Sequence, residues 1–223
     1  MILIAHRNRG FAYILALAIC FVLALLTAGI LAFVDISSLP NINLVIHLED
    51  LLNLAMAISL VISIAFYLSA SRETFRHALL ASAIIATTSI ALGVAGLLRT
   101  LIDQRINPEL LLGAAVIVYI STVLVFTVWY WIMDSHGQEK WANGEAVPPV
   151  LVFPQNAVAF PGYEGWTPGF IDYLFLSFHT STTVGPTETV VLSRTGKVVM
   201  MVQVCISLIV LIALATRAIG LLR

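Results

Sequence analysis

Residues 182–188, Thr-Thr-Val-Gly-Pro-Thr-Glu, lie between a short apolar segment and a long one. If the short segment is a helix that ends inside a membrane, the residues after it must run back out beside an ion path. Their backbone carbonyls would then replace the water that a cation loses on entering. We therefore predict an ion pathway lined by Thr182, Thr183, Val184, Gly185, Pro186, Thr187 and Glu188.

The composition predicts that the elements around this segment are membrane helices. Of the 223 residues, 60% are apolar and 10% are charged, against roughly 25% charged residues in soluble domains. A membrane helix needs about 20 apolar residues, and the alternating pattern of a barrel strand is absent. We predict an all-α integral membrane bundle with five transmembrane helices, at Phe11–Val34, Leu48–Ala70, Ala78–Leu98, Leu110–Met133 and Val198–Leu222.

Charge and cysteine content argue against several classes of protein. The net charge of −1 does not suit a nucleic-acid surface, so nucleic acid is not expected as a partner. Cys20 and Cys205 lie inside apolar helices, where packing is expected rather than a disulfide or a metal cluster. The basic residues lie at or near span ends, so no voltage sensor is encoded. We expect no cofactor and no bound metal.

The chain divides into three predicted regions. Short connections between the first four spans predict an antiparallel bundle over residues 1–133. Residues 134–167 form one long loop that is rich in proline and glycine but also in apolar residues, so we predict a folded cap rather than a disordered linker. Residues 168–223 hold the short helix, residues 182–188 and the last span.

Three local patterns in the bundle predict how it packs. Trp129-Tyr-Trp131, at the end of the fourth span, is typical of an interfacial anchor. Ser89 and Gly93 on the third span give the small-residue spacing of close helix contact in lipid. Glu49 and Asp50 open the second span, where carboxylates favour the positive end of the helix dipole. Without a partner inside the membrane they do not indicate a proton relay.

The short helix is predicted to start at Thr167-Pro168, because a hydroxyl N-cap followed by proline is a favoured start. It would run from Phe170 to Thr182, about 13 residues or about 20 Å, which is too short to cross a membrane. It is therefore re-entrant, interfacial or buried in the core. Thr180, Ser181 and Thr182 predict a polar or wet environment at its C-terminal end. A re-entrant helix would aim its partly negative carbonyl end at a cation.

This C-terminal quarter resembles the pore module of pore-loop, potassium-channel-like ion channels. Asp172–Phe178 is similar to the aromatic pore helix of that family, and Thr182–Gly185 is similar to the start of its selectivity filter. Gly196-Lys197 is similar to the entry of its inner helix. The resemblance implies a filter lined by Thr183–Gly185, with Glu188 at the family's aspartate. It also implies a homotetramer around a pathway for monovalent cations such as potassium or sodium.

Two residues depart from the filter of that family. Pro186 stands at the tyrosine position and Thr187 at the second glycine. Threonine reaches positive φ only at a cost of about 1–2 kcal/mol, and Pro186 pushes Gly185 toward extended conformations. We expect the outer half of the filter to be missing or wide, and ion selectivity to be low.

The C-terminal half also resembles a bacterial family of multi-pass membrane proteins of unknown function. The shared features are Phe153-Pro154, the aromatic stretch from Asp172 and Ser193-Arg194 after a threonine-rich turn. This second resemblance implies a bacterial-type inner membrane as the location, and it implies no known activity.

The charge of the C-terminal region favours cations. From Asp134 to Lys197 there are six acidic and three basic residues, and negative charge beside a pore mouth concentrates cations. The acidic residues are Asp134, Glu139, Glu145, Glu164, Asp172 and Glu188. The distribution of lysine and arginine leaves the orientation in the membrane open.

Other functional classes lack their signatures. His47, His136 and His179 have no metal-ligand or catalytic spacing. The serines and threonines of the short helix lack the Gly-x-Ser-x-Gly context of a nucleophile, so an enzyme is not expected. No inverted repeat indicates a transporter.

The sequence therefore predicts a channel-like, homo-oligomeric membrane protein that passes monovalent cations with low selectivity. Its expected partners are further copies of itself and the lipid bilayer. The alternative is a non-conducting structural or accessory membrane protein that retains a pore-loop fold.

Overall fold

Seven α-helices and one short strand pair make up the described part of the chain. The computed structural model describes residues 2–32, 42–69, 72–102, 108–157, 161–163, 165–182, 185 and 188–221. Within these ranges, the side chains of 2–9, 28–32, 42–46, 72, 99–102, 108, 217, 220 and 221 are not described. The helices are α1 (Ile2–Ala32), α2 (Ile42–Leu68), α3 (Arg72–Ile102), α4 (Pro108–Ala142), α5 (Pro154–Ala157), α6 (Phe170–Ser181) and α7 (Arg194–Leu221). The strands are β1 (Leu151–Val152) and β2 (Val190–Val191).

Five helices in the described ranges, α1, α2, α3, α4 and α7, are long and apolar enough to cross a membrane. The predicted all-α, multi-pass membrane architecture is confirmed at this level. Some helix bounds differ from the prediction, since α1 begins at Ile2 and α4 continues past Met133 to Ala142. The hydropathy of the sequence shows where the apolar residues end, which is not always where the helix ends. A helix continues into polar sequence because it satisfies its own backbone hydrogen bonds.

Helix α4 lies at the centre of the molecule. It packs against α1, α3, α6 and α7, while α2 packs mainly on α3 and α1. Of the five candidate spans it is the most buried, and Val125, Phe126 and Val128 on it are almost completely inaccessible. The last helix, α7, therefore docks on the same central helix as the short helix α6.

The aromatic residues near the end of α4 contact other helices. Trp131 stacks on Tyr13 of α1, with ring centroids 4.4 Å apart, and Trp129 Nε1 donates a hydrogen bond to Thr87 Oγ1 of α3 (2.9 Å). Tyr130 is fully buried. The predicted interfacial anchor stays a prediction, and the structure shows that the rings of Trp129 and Trp131 also fill space between α4 and its neighbours.

The loop after α4 folds back onto the end of that helix. Strand β1 pairs antiparallel with β2, with Leu151 opposite Val191, and Leu151 and Phe153 are buried. At Gly137 a Cβ would lie 3.0 Å from Pro149 Cα, so glycine permits the close approach of loop and helix. The loop begins after Ala142 instead of at residue 134, and Leu151 and Phe153 pack inward whereas Val147 and Tyr163 are exposed.

Candidate functional site

Helix α6 begins at Phe170, with Gly169 as its N-cap. The Gly169 N–H donates a hydrogen bond to Asp172 Oδ2 (2.7 Å), because a carboxylate at the third helical position reaches back to the N-cap. The prediction that Thr167-Pro168 starts the helix was therefore wrong by two residues. Asp172 is engaged as a cap and completes the start of α6.

Asp134 joins three elements at the level where α6 starts. Its Oδ1 accepts from the Leu151 N–H (2.9 Å), and its Oδ2 accepts from Gln138 Nε2 (2.9 Å) and from the Tyr173 hydroxyl (3.0 Å). Asp134 is completely buried. The sequence counted Asp134 among the acids that favour cations, and the structure shows its carboxylate enclosed between α4, β1 and α6.

The hydrogen-bonding groups around Asp134 extend further into the loop. Gln138 Nε2 also donates to the Leu151 carbonyl (2.7 Å), and Asn156 Nδ2 donates to Gln138 Oε1 (2.8 Å). Burial, and then the charge of Asp134, raises the pKa of Tyr173 well above its ordinary value. The phenol is therefore protonated at neutral pH and acts as a donor. This arrangement fixes the N-terminal half of α6.

A second buried polar cluster fixes the other half of α6. Gln203 Nε2 of α7 lies 2.8 Å from the Ser177 carbonyl, 2.9 Å from Ser177 Oγ and 2.7 Å from Ser181 Oγ. The Tyr130 hydroxyl of α4 donates to Gln203 Oε1. Ser177 Oγ in turn donates to the Val123 carbonyl of α4 (2.7 Å). We call Tyr130, Ser177, Ser181 and Gln203 the Gln203 cluster.

The C-terminal end of α6 therefore has a polar environment, but one supplied by protein. Ser177, Thr180 and Ser181 are completely buried, and Thr180 Oγ1 donates to the Leu176 carbonyl (2.8 Å). The polar environment predicted for this end of the helix consists of hydrogen bonds within one chain. The hydroxyls of Ser177 and Ser181 join α6 to α4 and α7, whereas that of Thr180 bonds within α6.

Only part of the predicted ion pathway falls within the described residues. Thr182 caps α6, and its hydroxyl donates to the His179 carbonyl (2.9 Å). Gly185 has a φ of 82°, and Glu188 is exposed. The remaining predicted pathway residues, Thr183, Val184, Pro186 and Thr187, lie outside the described residues.

The conformation of Gly185 differs from the prediction. Pro186 was expected to push Gly185 toward extended conformations, and the structure places Gly185 at positive φ. Glycine adopts this conformation without steric cost because it has no Cβ. Gly185 therefore has a backbone conformation that other residues rarely adopt.

One face of α6 is apolar and uncovered. Ile171, Phe175 and Phe178 are 70%, 52% and 50% exposed, and they follow helical spacing. The His179 ring lies beside that of Phe175, with centroids 4.1 Å apart. Its Nδ1 has no hydrogen-bond partner among the described residues. In a membrane protein such a face contacts lipid or another protein.

The residues that hold α6 include two whose role the sequence did not reveal. Gln203 and Tyr130 were not selected as candidate residues, although Gln203 is the one amide in the apolar stretch 198–216. A polar side chain within a membrane helix usually faces the protein interior. That signal identifies Gln203, but it does not identify its partners.

Metal-binding groups of the usual kind are not found in the described part of the chain. There, no three or more His, Cys, Asp and Glu side chains come close enough to hold a metal ion. Comparison of the chain with protein-family models, curated proteins and solved structures found no match. The similarity to pore-loop channels and to the bacterial multi-pass family stays a prediction from the motifs.

Proposed function

We propose that the chain is a subunit of a homo-oligomeric channel for monovalent cations with low selectivity. In this proposal α6 is a re-entrant helix, and residues 182–188 of each copy line the ion path. The observation that carries it is the hydrogen bond from Ser177 Oγ to the Val123 carbonyl. It holds the second half of α6 beside the middle of the α4 span.

The course of the chain after α6 supports a segment that enters and leaves on the same side. Gln203 lies nine residues beyond Arg194, so it is about 13 Å from the start of α7. It contacts Ser177 and Ser181 near the end of α6. Residues 182–193 therefore connect this depth to the start of α7. A filter loop needs such a return path.

The electrostatics at the end of α6 support a positive ion as the permeant species. The carbonyl end of a helix has a partial negative charge of about half an electron, and α6 directs that end toward residues 182–188. Glu188, at the far end of the segment, is exposed. Its carboxylate adds attraction for cations rather than anions.

An oligomer is part of the proposal because one segment of seven residues cannot enclose a path alone. The uncovered face of α6 formed by Ile171, Phe175 and Phe178 is available for lipid or for a neighbouring subunit. We propose four copies, following the family that residues 170–217 resemble. Native mass spectrometry of the full chain in detergent tests the number. A stable monomer would contradict the channel.

Flux measurements test conduction directly. The full chain in liposomes is expected to pass thallium, potassium and sodium ions at similar rates and to exclude chloride. Glu188→Gln should lower the cation flux several-fold, because it removes the charge next to the path. Glu73→Gln is the matched control, since Glu73 is an exposed acid in the first turn of α3, outside the acidic C-terminal region. Absence of flux from folded, oligomeric protein would overturn the proposal.

A second candidate function follows from the burial of the α6 hydroxyls. Ser177, Thr180 and Ser181 are all hydrogen-bonded within the protomer, so α6 also serves as a packing element of the fold. A non-conducting structural or accessory protein would have the same arrangement. Intact oligomers with no flux in liposomes would favour this candidate.

A further inference from the structure

A crevice runs between α1, α2, α3 and α4, and no residue of α6 or α7 lines it. It has two adjoining lobes of about 30 and 40 Å³, each larger than the roughly 10–15 Å³ that one water molecule requires. The lobes share Ala24, Thr27, Asn53, Ser89, Gly93 and Val118. Small residues on facing helices leave this space open.

Polar residues from each of the four helices line the crevice, with Ser121 contributed by α4. Glu49 and Asn53 are four residues apart on α2, so they lie on the same face of that helix. Ser89 of α3 and Thr27 of α1 line the same space. A carboxylate within a membrane span marks a functional site by default, provided that partners can be named. Asn53, Ser89 and Thr27 are those partners.

The neutral oxygens in the crevice are available to a ligand. The Thr27 hydroxyl donates to the Ala24 carbonyl (2.7 Å), which leaves its oxygen free to accept. Neither the Asn53 amide nor the Ser89 hydroxyl bonds to another side chain or backbone group in the described part of the chain. Polar groups inside a protein are usually satisfied by protein, water or an ion. Asn53 and Ser89 are half-buried, so their polar groups are accessible to a ligand in the crevice.

We propose that the crevice is a binding site for one alkali cation. The ligands would be the Glu49 carboxylate, the Asn53 amide oxygen and the hydroxyl oxygens of Thr27 and Ser89. Oxygen ligands suit hard cations. One carboxylate balances a single positive charge, so a monovalent ion is favoured over a divalent one. The neighbouring Asp50 is exposed and does not line the crevice.

The site is independent of the proposed ion pathway, because its ligands come from the four-helix bundle alone. A bound cation would connect α1, α2 and α3 through their side chains. Binding to the folded state alone stabilises that state. The cation would therefore raise the thermal stability of the bundle even if residues 182–188 conduct nothing.

Thermal unfolding of the full chain in detergent tests the site. Lithium, sodium and potassium chloride are compared with choline chloride at equal ionic strength. We expect at least one alkali ion to raise the Tm by several degrees in a saturable manner. Glu49→Gln should abolish this response, and Asn53→Ala should weaken the apparent affinity at least tenfold. Asp50→Asn, which removes the adjacent charge, and Glu188→Gln should both retain the response.

Further variants separate binding from folding. Ser89→Val fills the crevice without changing a charge, so it should abolish the cation response while the protein still folds. If Glu49→Gln does not fold, Ser89→Val and Asn53→Ala decide the question. An equal Tm in choline and alkali chlorides would overturn the proposal. So would a full response in Ser89→Val and Asn53→Ala, or an equal response in Glu49→Gln and Asp50→Asn.

Discussion

Gln203 of α7 holds Ser177 of α6 through two contacts, with its Nε2 2.8 Å from the Ser177 carbonyl and 2.9 Å from Ser177 Oγ. The same amide accepts from Tyr130 of α4 through its oxygen. One side chain therefore connects the short helix, the central helix and the last helix. Because all these groups are buried, their geometry fixes where α6 ends and where residues 182–188 begin.

Replacing Gln203 by alanine should destabilise the fold. The change leaves the Tyr130 hydroxyl and the Ser177 and Ser181 groups without their amide partner, and a buried unsatisfied group costs about 1–3 kcal/mol. Thermal or denaturant unfolding in detergent measures the loss. Val202→Ala, at the neighbouring exposed position, is the control and should change stability by no more than about 0.5 kcal/mol. Equal stability of the two variants would contradict the role of Gln203.

Replacing Asp134 by alanine should loosen the loop after α4. The Leu151 N–H, the Gln138 amide and the Tyr173 hydroxyl would lose a shared acceptor, at a cost of about 1–3 kcal/mol or more because the acceptor is a carboxylate. Limited proteolysis should show faster cleavage between residues 143 and 169. Tyr173→Phe removes one of the three bonds and should have a smaller effect. Unchanged cleavage in Asp134→Ala would show that the loop is held by other contacts.

Replacing Gly185 by alanine should strain the backbone beside the proposed ion path. At its φ of 82° a Cβ would meet no atom within 4 Å, so the cost is that of the backbone alone, about 1–2 kcal/mol. Gly96→Ala on α3 also meets no atom. In a helix interior it should stabilise by about 0.5–1 kcal/mol. The free energy of unfolding is measured for both variants, and it should fall in Gly185→Ala and rise in Gly96→Ala. Changes of the same sign would contradict the positive-φ conformation of Gly185.

Replacing Gly137 by alanine should disturb the contact between α4 and the loop. The new Cβ would lie 3.0 Å from Pro149 Cα, which is a backbone atom and cannot move without the chain. Overpacking of this kind costs about 1–3 kcal/mol. Gly113→Ala on the same helix meets no atom within 4 Å, so it serves as the control. Unfolding in detergent measures the stability of both variants. An unchanged stability of Gly137→Ala would show that the loop can move away from the helix.

The membrane helices could be predicted because the relevant signal is local. Twenty or so successive apolar residues force a helix in lipid whatever the neighbours are. The α6 helix was also predictable, and its bounds at Phe170 and Ser181 lie close to the expected Phe170–Thr182. Its start was predicted two residues too early, because Thr167 and Gly169 are both suitable N-caps. The choice of Gly169 depends on the Asp172 carboxylate reaching back.

The contacts of α6 could not be predicted, because they join residues far apart in the chain. Tyr173 and Asp134 are neighbours only after α6 docks on α4. From the sequence alone, Asp134 has the features of an acidic residue in an exposed loop. Trp129 and Trp131, at the end of an apolar stretch, are typical of an aromatic belt at the membrane interface. Their actual partners, Thr87 and Tyr13, belong to helices whose packing around α4 no local pattern specifies.

The sequence by itself determined that the chain is a multi-pass helical membrane protein, with a helix too short to span before its last span. The length of an apolar stretch depends only on consecutive residues, so the sequence is enough to predict the spans. Only the tertiary structure decided that the hydroxyls of α6 face Gln203, that Asp134 is enclosed, and that Glu49 and Asn53 share a crevice with Ser89. Those relations depend on which helix faces pack together. Burial then makes unpaired polar groups costly enough to select one arrangement.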